Sequence, residues 1–358
     1  MGGRVLDRVL IWVVGHARLI PECVLRRMFM LAADCAWLLR VGGEAQLERN
    51  LAHVLASGHG RQTAGSATSV GRMGGGSDEA SDRRAVRRLA RAGMRSYFAY
   101  FSEALSVGAR GNATLRARIR GTGDGLEQLR HVVRDSRRSA PIAMGHQGNW
   151  DYAGFWGGSA VAPVTTVAER LDDKELLAAF VAIRERLGMH VLLTGTEGLT
   201  DRLVEVLRRP ECALVPLLAD RDLSRRGVFV RAFDSVIRVA AGPAVLALET
   251  GLPLFVVNMH RERLSGKRRR LAASPVGYLC EVSGPIDVEP YRSMSRPRAV
   301  RELTQAWVDV WARGIAAHPE DWHMLQPIFV EDLDMDRLSD VPDWVLAARM
   351  SGMALRVK

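Results

Sequence analysis

Cysteine is scarce in this chain of 358 residues, and the four that occur follow no metal-binding or disulfide pattern. Cys23 and Cys35 lie in an apolar stretch, Cys212 and Cys280 lie far from them, and no Cys-x-x-Cys pair is present. This spacing excludes a zinc signature and the disulfide framework of a small secreted domain. We therefore expect a reducing compartment, no metal and no resident cofactor.

Long apolar runs are also missing. The longest run near the amino terminus covers residues 9–14 and is bracketed by Arg8 and His16, whereas a membrane-spanning helix needs about 20 apolar residues. The run is short for a signal-peptide core, and no small-x-small cleavage site follows it. These absences predict a protein that is made and kept on the cytoplasmic side.

Lysine is rare as well, because only three of the 50 basic residues are lysines and arginine supplies the other 47. The net charge is nevertheless +10, and 47% of the residues are hydrophobic. That composition excludes disorder along the whole chain and provides for a sizeable core. A basic surface suits nucleic acid, an anionic membrane or a phosphate-bearing ligand, and charge alone does not choose among them.

The first 82 residues divide into two unlike parts. Residues 4–56 predict two helices around Pro21, with an apolar stripe in the second: Met28, Leu31, Ala32, Cys35, Leu38 and Leu39. Arginines interleave with this stripe, so 1–56 is predicted either as amphipathic helices in a membrane interface or as core helices with solvated arginines. Residues 57–82 are rich in Gly, Ser and Thr, which is typical of a flexible insertion.

Residues 83–340 are predicted as the main domain and 341–358 as a C-terminal tail. A helix begins at 83 and carries an aromatic cluster at Tyr97, Phe98, Tyr100 and Phe101 that lines a lipid groove or packs in the core. Six strand-like segments follow: PIAMG, APVTTVA, HVLLT, ALVPLLA, PLFVVNM and GYLCEV. Helical segments are predicted at 172–188, 197–209, 241–250 and 300–317. This alternation favours an α/β sandwich with a mixed, largely parallel central sheet flanked by helices.

The segment HQGNWD at 146–151 holds the residues best suited to chemistry. His146 directly follows a predicted buried strand, and open α/β sheets place their sites at the carboxyl ends of strands. Asp151 falls in the first turn of the next helix, so we expect its carboxylate to hydrogen-bond one imidazole nitrogen while the other takes a proton from an attacking hydroxyl. No serine or cysteine completes a nucleophile motif here, so the substrate's own hydroxyl is the expected nucleophile.

HQGNWD resembles the H-x4-D/E motif of lysophospholipid-type acyltransferases, in the H-x-G-N-W-[DE] form of the lipid A biosynthesis (late) acyltransferase family. Further segments resemble the actinobacterial phosphatidylinositol mannoside acyltransferase branch: 164–171, Arg184 with 187–189, 216–223, 242–244 and 318–327. One departure is Asp234, which stands where the family usually has glycine. The resemblance implies acyl transfer from a thioester donor, usually acyl-CoA, to a mannose hydroxyl of a phosphatidylinositol mannoside.

The resemblance also implies roles for individual residues. Asp220 follows a strand where the family has an acidic residue that assists the histidine, although Asp is one methylene shorter than the usual Glu. Arg184 and Arg226 match positions that contact the donor, and arginine suits the phosphates of CoA. Glu169 and Arg170 follow the strand PVTTVA as acceptor-side candidates, and Arg221 joins the substrate-binding set or pairs with Asp220.

Three further interpretations are based on the residues themselves and their sequence neighbours, not on the family resemblance. Glu249 lies in an apolar helical run, so it should hold a substrate hydroxyl or pair with an arginine. His323 and Trp322 are expected to be packed and hydrogen-bonded rather than catalytic, and Asn149 and Trp150 to shape the motif loop.

Two other functions remain open at this point. A thioesterase would use the same His/Asp pair to activate water, and a basic nucleic-acid-binding protein would explain the arginine clusters but shows no recognisable binding motif. The favoured hypothesis is a peripheral enzyme on the cytoplasmic face of the cell membrane. Its partners are acyl-CoA, a glycolipid acceptor and the anionic inner membrane surface, with no nucleic acid.

Overall fold

The structure is a computed structural model that describes residues 20–57, 79–107, 110–222, 224, 227–338 and 341–356. The predicted helix before Pro21 and nearly all of the predicted insertion lie outside these residues.

The first helices of the described chain are α1 (Glu22–Leu39), α2 (Glu44–Ala56), α3 (Glu79–Ser106), α4 (Asn112–Arg118), α5 (Leu126–Arg130), α6 (Trp150–Ala160) and α7 (Lys174–Arg186). They are followed by α8 (Leu199–Arg208), α9 (Gly242–Thr250), α10 (Gly266–Ala272), α11 (Glu289–Arg292), α12 (Arg296–Ala317) and α13 (Asp343–Arg356). Short helical turns lie at His131–Asp135, Pro319–Asp321 and Met335–Arg337.

The strands are β1 (Ile119–Thr122), β2 (Ala140–Met144), β3 (Val164–Ala168), β4 (Met189–Leu193), β5 (Leu214–Leu218), β6 (Val228–Ala232), β7 (Ser235–Val239), β8 (Leu254–Arg263) and β9 (Val276–Ile286). Seven of them form one sheet in the order β1-β9-β8-β2-β5-β3-β4. Only the β8–β9 pair in that sheet is antiparallel, and β6 and β7 form a separate antiparallel hairpin.

This sheet confirms the predicted α/β architecture with a mixed, largely parallel centre. Its side chains alternate between two apolar clusters, as a pleated strand requires. In β2, Ala143 packs on the side of α9 and α12, whereas Ile142 and Met144 pack on the side of α6. Helices therefore cover both faces, and the carboxyl ends of β2, β3, β4, β5 and β8 share one edge of the sheet.

The strands missed by sequence analysis are β1 and the two strands of the β6–β7 hairpin, and the short helices α4, α5, α10 and α11 were not predicted either. The hairpin turns through Phe233 and Asp234, whose φ angles are 54° and 56°. Two consecutive positive φ values are what a tight two-residue hairpin turn needs, and Gly or Asn usually supplies them. Asp234 therefore has a left-handed backbone conformation. Glycine adopts this conformation at little cost, which explains why the family usually has glycine at this position.

The N-terminal prediction needs correction. Two helices, α1 and α2, follow Pro21, and they are separated by a bend in which Arg40, Gly42 and Gly43 all have positive φ. Their separation was not predicted, although the Gly42-Gly43 pair marks the bend in the sequence. Residues 79–82, assigned to the insertion, belong to α3, and the predicted tail contains α13.

The predicted apolar stripe of α1 lies on its exposed side: Met28, Leu31, Ala32, Cys35, Leu38 and Leu39 are all exposed. The buried side is formed by Leu25, Ala33 and Ala36. Asp34 ties α1 to α3 through Arg91 and Arg95, whose guanidinium groups both bind its carboxylate. A core position for this stripe, one of the two predictions, is therefore wrong.

Candidate active site

The loop that follows β2 depends on two glycines. A Cβ on Gly145 would lie 2.4 Å from the indole nitrogen of Trp311 and 2.9 Å from Asp220 Oδ2, so only glycine fits there. Gly148 has a φ of +55°, in the left-handed region that glycine adopts at little cost. These positions let the chain place His146 beside β5 before α6 begins.

Asp220 is the carboxylate that orients His146. Because β2 and β5 are parallel and pair through Met144 and Leu218, the residues just beyond them meet at the sheet edge. Asp220 Oδ1 lies 2.6 Å from His146 Nδ1, and Oδ2 accepts a hydrogen bond of 2.9 Å from the His146 backbone N–H. The shorter Asp side chain therefore does reach the histidine.

The electrostatics of Asp220 favour its charged form. The side chain is fully buried, which by itself raises a carboxyl pKa. The imidazole of His146 and the hydrogen bonds to the carboxylate outweigh burial, so the pKa of Asp220 lies below its usual value. A buried, ionised carboxylate is suited to hold an imidazole in one tautomer and to stabilise it when protonated.

Asp151 does not contact the histidine, and the prediction that it steers His146 is wrong. Its Oδ1 accepts from Arg184 Nε at 2.9 Å, and its Oδ2 accepts from the Tyr100 hydroxyl at 2.9 Å. Asp151 is buried in the first turn of α6, where an unpaired charge would be costly. Arg184 offsets this cost, and the position beside the imidazole is left to Asp220.

Arg184 was predicted to contact donor phosphates. In the structure the Arg184 side chain is largely buried, and burial alone would lower the pKa of its guanidinium. The neighbouring carboxylate of Asp151 outweighs burial, so the pKa of Arg184 is raised. Its Nε is engaged inside the protein, although the residue also lines the cavity beside His146. Contact with a donor stays a prediction.

A cavity of about 450 Å³ opens beside His146. Its apolar wall includes Tyr97, Tyr100 and Phe101, three of the four residues of the predicted aromatic cluster. Phe98 packs against the core instead. A narrower apolar pocket of about 50 Å³ adjoins this cavity between the sheet and α6, and it shares Trp150 and Arg184 with it.

An ion pair forms part of the polar wall of the cavity. Arg221 binds Glu169 at 2.9 Å, and both residues line the cavity. The Nε of Arg221 is buried and has no hydrogen-bond partner among the described residues. Arg170 is exposed, binds Thr194 and does not line this cavity, so the structure separates it from Glu169 and Arg221.

Glu249 lies away from the site, and the substrate-binding role predicted for it is wrong. It is exposed on α9 and forms an ion pair with Arg296, which is the structural alternative that the sequence left open. The last turn of α9 turns this position to solvent, although the surrounding residues are apolar. The predicted donor contact Arg226 lies outside the described residues.

Sequence reasoning missed the contact that Trp322 makes with Asp220. Its indole Nε1 donates a hydrogen bond of 3.0 Å to Asp220 Oδ2. The two residues are far apart in sequence, so no local spacing signals the contact.

The packed role predicted for His323 is confirmed. Its Nε2 lies 2.9 Å from the Ser96 hydroxyl, and burial lowers its pKa to about 3. Its backbone N–H donates to the His146 carbonyl at 2.7 Å.

Asn149 shapes the motif loop, as predicted. Its side-chain oxygen caps α6 by accepting from the Tyr152 N–H, and its Nδ2 donates to the buried Glu103. Tyr278 donates to the same carboxylate, which holds the partner of Asn149 in place.

Two classes of feature are absent from the described part of the chain. No three His, Cys, Asp or Glu side chains there are arranged to hold a metal ion. Among the same residues, no helix combines the length and apolar character that crossing a membrane requires.

Comparison with known proteins gives a consistent result. The model of the bacterial lipid A biosynthesis acyltransferase family matches residues 80–330. A phosphatidylinositol mannoside acyltransferase of Mycolicibacterium smegmatis is 35% identical over 351 residues, which cover 94% of this chain and 95% of that protein. The protein of the same name from Mycobacterium tuberculosis is 33% identical over 322 residues, covering 89% of this chain and 87% of its own.

Proposed function

The chain is an acyltransferase of the bacterial lipid A biosynthesis acyltransferase family, homologous to phosphatidylinositol mannoside acyltransferases. We propose that it moves a fatty acyl chain from acyl-CoA to a mannose hydroxyl of a phosphatidylinositol mannoside. The observation that carries the proposal is the 2.6 Å contact between His146 Nδ1 and Asp220 Oδ1 on the wall of a large cavity. The relatives' names suggest the acceptor.

His146 is the general base in the proposed reaction. Its Nδ1–H donates to Asp220, which leaves Nε2 with a lone pair for the proton of the acceptor hydroxyl. The hydroxyl oxygen attacks the thioester carbon, and the tetrahedral intermediate collapses with cleavage of the C–S bond. The imidazolium then returns its proton to the departing CoA thiolate, so a C–O ester bond replaces the thioester and no protein nucleophile is needed.

The cavity offers suitable surfaces for both substrates. Aromatic side chains and the adjoining apolar pocket suit an acyl chain. The Arg221–Glu169 pair offers a cation and a carboxylate to a phosphate or a sugar hydroxyl. We propose this pair as part of the polar binding surface, with Arg184 and Arg226 as further donor contacts.

We further propose that the protein works at the cytoplasmic face of the cell membrane as a peripheral enzyme. The exposed apolar stripe of α1 would enter the interface, and arginines beside it, such as Arg27, would face anionic headgroups. A glycolipid acceptor could then reach the cavity without leaving the bilayer.

Mass spectrometry of products tests this function. Purified protein is incubated with a set of acyl-CoA donors and with phosphatidylinositol mannosides in vesicles. The proposal predicts a glycolipid heavier by one acyl group and an equal amount of free CoA. Free fatty acid without an acylated glycolipid would show a thioesterase instead, and would overturn the proposal.

A further inference from the structure

The Asp220 carboxylate has a separate role for each of its oxygens. Oδ1 faces the imidazole, whereas Oδ2 accepts from the His146 backbone N–H and from Trp322 Nε1. Rotation about the last torsion of an aspartate is broad and nearly two-fold. A carboxylate that directs one oxygen at a histidine therefore needs donors that hold the other oxygen in place.

Trp322 is firmly held to supply such a donor. The residue is fully buried, and its ring packs edge-on against Trp311 with centroids 5.6 Å apart. The backbone around it is joined to the motif loop, because the Gly148 N–H donates to the Asp321 carbonyl at 2.8 Å and the His323 N–H donates to the His146 carbonyl at 2.7 Å. The indole and the histidine therefore keep one spatial relation to Asp220.

We propose that Trp322 is a positioning residue of the acyltransferase, whose indole N–H fixes the Asp220 carboxylate so that Oδ1 stays aimed at His146. Trp322 does not line the cavity, so it acts through Asp220 and not on a substrate. The kinetic part of this inference rests on the proposed function, whereas the geometric part does not.

The first test replaces the indole by a ring without the donor, Trp322→Phe. Trp307→Phe is the matched control, because Trp307 is also fully buried in the same apolar cluster and its N–H has no hydrogen-bond partner among the described residues. Thermal unfolding of both variants measures the cost of the smaller ring. Only Trp322→Phe should also change the site.

The geometric readout is the proton NMR signal of His146 Nδ1–H. A contact of 2.6 Å to a buried carboxylate should give a resonance far downfield, identified by its loss in Asp220→Asn. In Trp322→Phe we expect this resonance to shift upfield or broaden, while it stays unchanged in Trp307→Phe. An unchanged resonance in folded Trp322→Phe would overturn the proposal, whether or not the wild-type protein transfers acyl groups.

The kinetic readout separates positioning from packing. Loss of one hydrogen bond to a charged group should lower kcat about tenfold, with KM for both substrates unchanged. In an Asp220→Asn background the same change should cost less than about twofold, because the two residues act as one unit. Equal losses in both backgrounds would contradict the proposal.

The pH profile gives a further check. The titratable groups that face Asp220 are His146 and His323, and burial keeps His323 neutral. The Trp322 N–H helps to hold the Asp220 carboxylate in its charged form, so its loss should displace the acid limb of kcat, which reports the His146–Asp220 pair. A limb that stays in place, as expected for Trp307→Phe, would argue against positioning.

Discussion

At the scale of single residues, the site contains two buried aspartates that have different roles. Asp220 binds the imidazole, whereas Asp151 holds the guanidinium of Arg184 and the hydroxyl of Tyr100. Burial raises the pKa of Tyr100, and the charge of Asp151 raises it further, so the phenol stays protonated and donates. Asp151 therefore anchors α6 to α7 and α3, while the carboxylate that contacts His146 is Asp220, which follows β5.

Asparagine substitutions should separate these two roles. Asp220→Asn keeps the shape but removes the charge beside His146, and we expect kcat to fall by about 100-fold or more. Asp151→Asn leaves the buried Arg184 without its ion pair and should lower the free energy of unfolding by about 3 kcal/mol. Turnover assays and denaturant unfolding of both variants measure the two effects. If Asp151→Asn alone abolished kcat in a fully stable protein, these assignments would be reversed.

His323 should make stability depend on pH in a defined direction. Its pKa is lowered to about 3 by burial, against about 6.5 in an unfolded chain. Between these values the unfolded state binds the extra proton, so stability is lost as pH falls. We expect His323 to account for a loss of about 1.4 kcal/mol from about pH 7.5 to about pH 5.5.

Denaturant unfolding at several pH values checks this loss. His323→Gln should remove this part of the slope, whereas His190→Gln, at an exposed position of β4, should leave the slope intact. An unchanged slope in His323→Gln would contradict a neutral buried imidazole.

The position of a site residue in the fold decides whether the sequence could predict it. His146 and Asp220 end adjacent strands, and strand ends can be recognised in a sequence. The partner of the imidazole was assigned wrongly because a five-residue spacing on one loop says nothing of which way a helix side chain turns. Glu249 was misplaced because apolar neighbours do not fix the exposed face of a helix, and Trp322 contacts Asp220 across 102 positions.

At the scale of elements, α1 is unusual because it is apolar on both sides. One side packs on α3 through Leu25, Ala33 and Ala36, while Leu31 and Leu38 on the other side are 66% and 67% exposed. The paired arginines on Asp34 hold the helix to α3 and hold the pKa of that carboxyl well below its usual value. An exposed apolar stripe on an anchored helix is suited to a lipid interface.

Charges introduced in the stripe should weaken membrane binding. For Leu31→Glu combined with Leu38→Glu, we expect affinity for anionic phospholipid vesicles to fall about 100-fold or more, since two leucines leave the apolar layer. Met350→Glu on α13 is the control, because Met350 is 70% exposed outside the stripe. Vesicle co-sedimentation gives the affinities of the wild type and of both variants. Equal binding by all three would show that α1 does not enter the membrane interface.

Element prediction succeeded where periodicity was strong and failed where turns were unusual. Six of the seven strands of the sheet were predicted because each contains a short apolar run between breaks. The β6–β7 hairpin was missed because Phe233 and Asp234 adopt positive φ without the usual Asn-Gly signal. The bend between α1 and α2 was missed although the Gly42-Gly43 pair, a common turn signal, lies in it.

At the scale of the whole molecule, the fold brings distant segments of the chain to one edge of the sheet. His146 follows β2, its carboxylate partner Asp220 follows β5 and the cavity residue Glu169 follows β3, while the segment after α12 hydrogen-bonds the motif loop. Family membership could be anticipated from ordered motifs along the chain. The fit of these segments depends on packing, which only the structure shows.

The most direct test of the account is the acyl-transfer turnover of His146→Ala, measured with an acyl-CoA and a phosphatidylinositol mannoside. The matched control is His131→Ala, which removes an exposed histidine paired with Asp135 at 2.8 Å outside the site. We predict that His146→Ala folds normally and loses about 100-fold or more of its turnover, while His131→Ala keeps the wild-type rate. A folded His146→Ala protein that transfers acyl groups at the wild-type rate would contradict the account.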